Sequence, residues 1–198
     1  MGEGLHLSHS ERVALIKATR EALDGAGFTD VPIVIGTGAG STRETIQLSK
    51  EAADAGADSV IVIAPGYFAG VLAGNKKALK AFFTEVAEKS PIPVIVYNCE
   101  FTPDGWKLIQ TANNAFVDPG VTGGIDLDSN LIIEIAKESS NTVGVKLTYV
   151  GLSNDTLGLS GLTPAVYQVR KRWKADEDLR DRFRPLLRGG IPQEFRNC

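Results

Sequence analysis

Four short apolar runs, each rich in valine and isoleucine, recur along this chain with helix-like stretches between them. They cover residues 31–38 (VPIVIGTG), 59–65 (SVIVIAP), 92–98 (IPVIVYN) and 142–148 (TVGVKLT), and turn-forming residues bound them. Nearly unbroken apolar character suits strands covered on both faces, as in a parallel sheet. The intervening segments carry helix signals. Ser8 with Glu11, and Ser41 with Glu44, read as capping boxes, and Leu15, Ile16, Ala22 and Leu23 follow the first at helical spacing. Further helices are expected around Leu79, Phe82, Phe83 and Val86, and from Asp128 or Ser129 through Leu131, Ile132 and Ile135. Strands alternating with helices mean right-handed βαβ units and an α/β fold.

The rhythm has one long beat. Strand starts lie about 28, about 33 and then about 50 residues apart, whereas one βαβ unit takes about 30. The excess falls between Asn98 and Gly123, and residues 99–118 read as an insertion. After Thr148 the alternation stops. Residues 149–165 are turn-rich, and residues 170–188 hold eight basic side chains against four acidic ones. A solvated helix accounts for that run, with a nucleic-acid-binding tail as the alternative. The chain is thus expected to divide into 1–148, carrying the βα units, and 149–198, an atypical and partly helical tail.

Composition excludes several classes. With 43% hydrophobic and 23% charged residues there is enough apolar surface to offset ordering entropy, so wholesale disorder is ruled out. No apolar run approaches the roughly 18 residues of a membrane span, and no secretory leader is visible, so a cytoplasmic protein is expected. Cys99 and Cys198 fit neither a disulfide framework nor a zinc pattern, and a net charge of −3 argues against general nucleic-acid binding.

Three features carry chemistry. The glycine-rich turn from Gly36 to Thr42 (GTGAGST) follows a strand and opens a helix, the position of a dinucleotide-binding loop. Its third fingerprint place is Ser41, however, and the next strand ends without an acidic group for a ribose. A tight strand-to-helix turn and a substrate-lining turn both remain open. Lys146 is the second feature, a cation inside an apolar strand. Alternation puts Gly144, Lys146 and Thr148 on one face and Val143, Val145 and Leu147 on the other. The valine face would meet helices. Lys146 then points into the other side of the sheet, where a desolvated amine is a nucleophile for carbonyls; an edge-strand lysine reaching solvent is the alternative. The third feature is Tyr97 at the C-terminal end of its strand, where α/β folds place their chemistry, with Tyr67 at the corresponding place one strand earlier. A phenol there serves as acid and base, or simply packs in the core. His6 and His9 lie near the first helix start and read as surface residues.

Taken together and in order, Gly2-Glu3 before a capped helix, GTGAGST, GADSVIVIAPGYF, PIPVIVYN, GGIDLDS and TVGVKLT resemble the dihydrodipicolinate synthase / N-acetylneuraminate lyase family. The likeness is greatest to its 2-keto-3-deoxy-acid and 4-hydroxy-2-oxoglutarate aldolase branches, over about residues 2–98 and 120–148. The resemblance implies a (β/α)8 barrel, of which the four runs are strands three to six. It implies a class I aldolase or lyase in which Lys146 forms a Schiff base with pyruvate or another 2-oxo acid. Tyr97 would relay protons, Tyr67 would join that relay, and Gly2, Glu3, Gly36, Thr37, Gly38 and Thr148 would line the substrate site. No metal or organic cofactor is implied. The partners are a small 2-oxo acid and an aldehyde, with neither nucleic acid nor membrane, and the family forms dimers or tetramers.

The pattern also departs from the family. Met1 stands where the family has the second of two carboxylate-holding residues, and only four of eight strands are legible. Weak activity and exposed sheet edges are therefore expected. A catalytically inactive barrel fragment that binds a 2-oxo acid or an intact paralogue is the competing reading, and a nucleotide-binding α/β domain rests on the glycine turn alone.

Overall fold

The helix signals near the N-terminus are satisfied bond by bond. In the computed structural model, which describes residues 4–98 and 125–147, a 3-10 turn at Gly4–His6 leads into α1, His9–Gly25. Ser8 caps α1 reciprocally: its side chain accepts from the Glu11 N–H, and the Glu11 carboxylate accepts from the Ser8 N–H at 2.8 Å. The box expected at α2, Thr42–Asp54, is only half built. Ser41 accepts from the Glu44 N–H at 3.2 Å, but Glu44 turns its carboxylate to His9 of α1, 2.9 Å away. An interhelical partner has replaced the local one.

Four strands follow in register: β1, Val34–Gly36; β2, Ser59–Ile63; β3, Val94–Asn98; and β4, Thr142–Leu147. All pair in parallel in the order β1-β2-β3-β4, as the alternation predicts. A second 3-10 turn, Gly66–Phe68, and the short helix α3, Ala69–Leu72, follow β2. Helix α4, Lys76–Lys89, precedes β3, and α5, Ser129–Glu138, precedes β4. No described helix is long and apolar enough to cross a membrane.

Strand β1 is shorter than its apolar run. Pro32 has no N–H to give a ladder, and the Ile33 N–H is taken by the Asp58 carboxylate at 2.7 Å. Continuous burial is also not met there, since Val34 is 41% exposed. Among the described residues β1 has a neighbouring strand on one side only.

One buried cluster shows how the layers are arranged. Ile16 of α1, Ile46 and Ala52 of α2, Leu79, Phe83 and Val86 of α4, and Leu131 and Ile135 of α5 all join Val60, Val62, Val94 and Val96. Every long helix therefore covers the same face of the sheet. Sequential parallel strands with one-sided crossovers curl toward a barrel, whereas a doubly wound sheet would divide its helices between two faces. The opposite face carries Ile61, Ile63, Ile95 and Tyr97, each only half-buried.

His9 fastens α1 to α2. Its Nδ1 lies 2.7 Å from Glu51 Oε2 and its Nε2 2.9 Å from Glu44 Oε1. These bonds, that to Glu51 foremost, hold the imidazole above its ordinary value of 6.5. A raised histidine adds stability that is fully present below the unfolded value and fades as pH rises through the folded one. The Tm advantage of the native chain over His9→Gln is therefore expected to be largest below pH 6.5 and to vanish in alkali. Thermal melts of both proteins across that range measure it.

Candidate active site

Strand register brings the two principal candidates together. Tyr97 of β3 pairs with Lys146 of β4, and the Lys146 Nζ lies over the phenol ring, 4.2 Å from its centroid. Both side chains stand on the face away from the helices, because their neighbours Val96 and Val145 belong to the helix-covered core. A register shift between Val94 and Ile95 contributes to this. Thr142 pairs with Val94 and Gly144 with Ile95, so Val143 is an extra residue in β4. Gly144 consequently lies beside Ile95, two positions before Lys146 on the same face.

Burial bears on the two readings of Lys146. The side chain is exposed, as an edge-strand lysine reaching solvent would be, and is not enclosed by apolar neighbours. Strand β4 is the last in the described sheet, so its outer side has no described neighbour. The amine is therefore held over Tyr97 by ring-face attraction, a contact worth about 0.5–1 kcal/mol at exposed sites.

The glycine turn supplies backbone to this face. Gly36 pairs with Ile61. At Gly38 a Cβ would come within 2.8 Å of the Ile63 backbone nitrogen, so only glycine allows the turn to lie this close to β2. Thr37 is different. Its hydroxyl is buried against Ser49 of α2, 3.1 Å away, and the Ser49 hydroxyl donates to Thr45 O at 2.7 Å. Thr45 in turn accepts from the Ala39 N–H at 3.1 Å and donates to Ser41 O at 2.9 Å. These α2 hydroxyls brace the turn from the helix side, and the Thr37 side chain faces them and not the lysine.

Tyr67 stands apart. It lies in the second 3-10 turn, 90% exposed, with its ring edge-on to Phe68 at 5.1 Å between centroids. Gly2, Glu3 and Thr148 lie outside the described residues, as do the insertion at 99–118 and the tail at 149–198.

Asn98, next to Tyr97, escaped the sequence reading. It is 1% exposed. Its amide donates to Asp126 Oδ1 at 2.8 Å and to Leu127 O at 3.1 Å, while its oxygen accepts from the Leu127 N–H at 3.0 Å. Asp128, one residue on, caps α5 and pairs with Lys76 of α4, whose ammonium holds the carboxyl below its usual range. The available signal was an asparagine ending a buried strand, since a buried amide demands partners.

A sequential parallel sheet with helices on one face, and a lysine and tyrosine paired at strand ends on the other, defines an arc of a (β/α)8 barrel. The sequence profile of the dihydrodipicolinate synthetase family matches residues 1–113, and this chain belongs to that family. It is 40% identical over 147 residues to an L-threo-3-deoxy-hexylosonate aldolase of Hypocrea jecorina, covering 74% of this chain and 40% of the relative. It is 41% identical over the same length to a probable mitochondrial 4-hydroxy-2-oxoglutarate aldolase of Emericella nidulans, with the same coverage. Among solved structures, the dihydrodipicolinate synthase of Acinetobacter baumannii, crystallised with pyruvate, superposes with a TM-score of 0.56 at 31% identity. That match covers 74% of this chain and 40% of the other. The chain thus spans about 40% of the length of the relatives it matches.

Proposed function

We propose that this chain carries the Schiff-base centre of a class I aldolase or lyase acting on pyruvate or another 2-oxo acid. The observation that carries the proposal is the Lys146 amine standing 4.2 Å from the Tyr97 ring centroid at paired strand ends. An uncharged amine attacks the ketone carbon, and the carbonyl oxygen becomes the hydroxyl of a carbinolamine. A phenol beside it donates the proton that lets this hydroxyl leave as water, giving an iminium. The iminium withdraws electrons from the neighbouring carbon, so the C–C bond there breaks to an aldehyde and an enamine, or forms in reverse. Protonation of the enamine and hydrolysis then free the amine. Lys146 is the nucleophile and Tyr97 the proton relay; Tyr67 belongs to that relay at most from the rim.

The Gly36–Thr42 turn, with Gly2, Glu3 and Thr148, is assigned to the substrate. Names of the Hypocrea and Emericella relatives favour a 2-keto-3-deoxy acid or 4-hydroxy-2-oxoglutarate as the partner. A cytoplasmic, homo-oligomeric protein goes with this proposal, although the Emericella relative is named as mitochondrial. Borohydride reduction of the 198-residue chain in the presence of pyruvate tests the centre. One reduced pyruvate is expected on Lys146 by peptide mass analysis, and an unmodified Lys146 would overturn the proposal.

A further inference from the structure

Tyr97 is the last residue but one of β3, and local opening is easiest at the ends of elements. The next side chain fastens this end. Alternation turns Asn98 to the helix side of the sheet, opposite the phenol, and there it is buried. Its amide donates to Asp126 Oδ1 and Leu127 O, and its oxygen accepts from the Leu127 N–H, so the planar group is gripped at both ends. Asp126 and Leu127 lead into α5, which Asp128 caps, and α5 leads to β4, the strand that carries the amine. In the ladder Asn98 lies opposite Leu147, just as Tyr97 lies opposite Lys146. The clamp thus ties the strand bearing the phenol to the connection that feeds the strand bearing the amine.

We propose that Asn98 is a positioning residue for Tyr97: by clamping Asp126 and Leu127 it holds the phenol where it can pass a proton beside the Lys146 amine. This assignment rests on the Schiff-base function. Asn98 faces away from the amine, so its effect on the chemistry passes through the tyrosine. Misplacement of a reacting group by about 1 Å costs about a hundredfold in rate, which makes the last turn of the strand backbone as consequential as the ring itself. Asp126 offers a gentler handle on the same clamp, because its side chain is exposed and accepts one of the amide's two donations.

The test is a double-mutant cycle read by the rate of borohydride trapping of pyruvate at Lys146. Asn98→Ala, Asp126→Ala and Asp126→Asn are each made in the native chain and in Tyr97→Phe, and assayed well below the lowest melting temperature of the set. In the native chain Asn98→Ala is expected to slow trapping about tenfold to a hundredfold. Asp126→Ala should slow it about threefold to tenfold, the equivalent of one hydrogen bond. Asp126→Asn keeps a carbonyl acceptor for the amide and should restore the native rate. In Tyr97→Phe, where no phenol is left to place, none of the three should slow trapping further. Equal slowing in both backgrounds would overturn the positioning role, since a merely structural clamp does not distinguish them. So would trapping within about twofold of native in a folded Asn98→Ala. If Asn98→Ala does not fold, the Asp126 pair decides: a native rate in Asp126→Ala, or no rescue by Asp126→Asn, overturns the proposal. These results leave the Schiff-base function standing. If the native chain traps no pyruvate, the function itself fails and Asn98 loses its assignment with it.

Discussion

Lys146→Ala is expected to lose every trace of reducible pyruvate adduct, and with it at least about four orders of magnitude in turnover, as when other covalent nucleophiles are removed. No other described lysine shares its situation. Lys76, Lys80 and Lys89 are engaged with carboxylates, and none has an aromatic ring under its amine. Lys146→Arg sharpens the test, since it preserves the charge and the attraction to the Tyr97 ring face but supplies no nucleophilic amine. Both variants should fold as well as the native chain, because the side chain is exposed. Tyr97→Phe separates the two halves of the pair: it keeps the ring under the amine and removes only the acidic proton. Trapping should persist but slow by about 10²–10⁴, the usual range for losing one proton-transfer group. A full-strength adduct in Lys146→Ala would show that another amine does the chemistry.

The largest effect on stability is expected at Asn98, not at a core hydrocarbon. Its side chain answers both the N–H and the C=O of Leu127, which is 1% exposed. Asn98→Ala would leave those two backbone groups buried and unpaired, each at a cost of about 1–3 kcal/mol. A loss of about 2–6 kcal/mol is a large part of any domain's stability and lowers Tm by roughly 5–20 °C. Asn98→Asp should not rescue it, because a carboxylate loses both donations and confronts Asp126 at the former 2.8 Å contact. Differential scanning calorimetry of the two variants against the native chain measures this. A shift of about 1 °C or less would mean the clamp contributes little.

The order and direction of the strands were legible because burial on both faces leaves a continuous apolar run and helices leave caps. Ser8 with Glu11 behaves as its spacing implies. Ser41 with Glu44 does not, because a histidine 35 residues earlier competes for the carboxylate. The side taken by Lys146 followed from alternation with Val145. Its exposure did not, since that depends on what lies beyond β4. Thr37 is a related case: alternation with Gly36, which pairs with Ile61 on the half-buried face, puts its side chain on the helix side, where the hydroxyl meets Ser49 of α2. Asn98 was missed because its partners are largely backbone atoms, which leave no pattern in a sequence. Asn98 reaches across to Leu127, 29 positions on.

The unpaired residue at Val143 makes the amine's location a matter of parity. With Thr142 opposite Val94 and no extra residue, Lys146 would fall opposite Asn98 and enter the helix layer, while Val145 would meet Tyr97. The strand's hydrogen-bonding capacity would be the same either way; only the side bearing the amine would change. Reading frame by reading frame, this short strand is therefore far more sensitive to loss or gain of a single codon than to replacement of any side chain upstream of the lysine. Sequences that descend from a common ancestor with this centre should vary in the letters of the strand while holding its count of residues between the start of pairing and the lysine fixed.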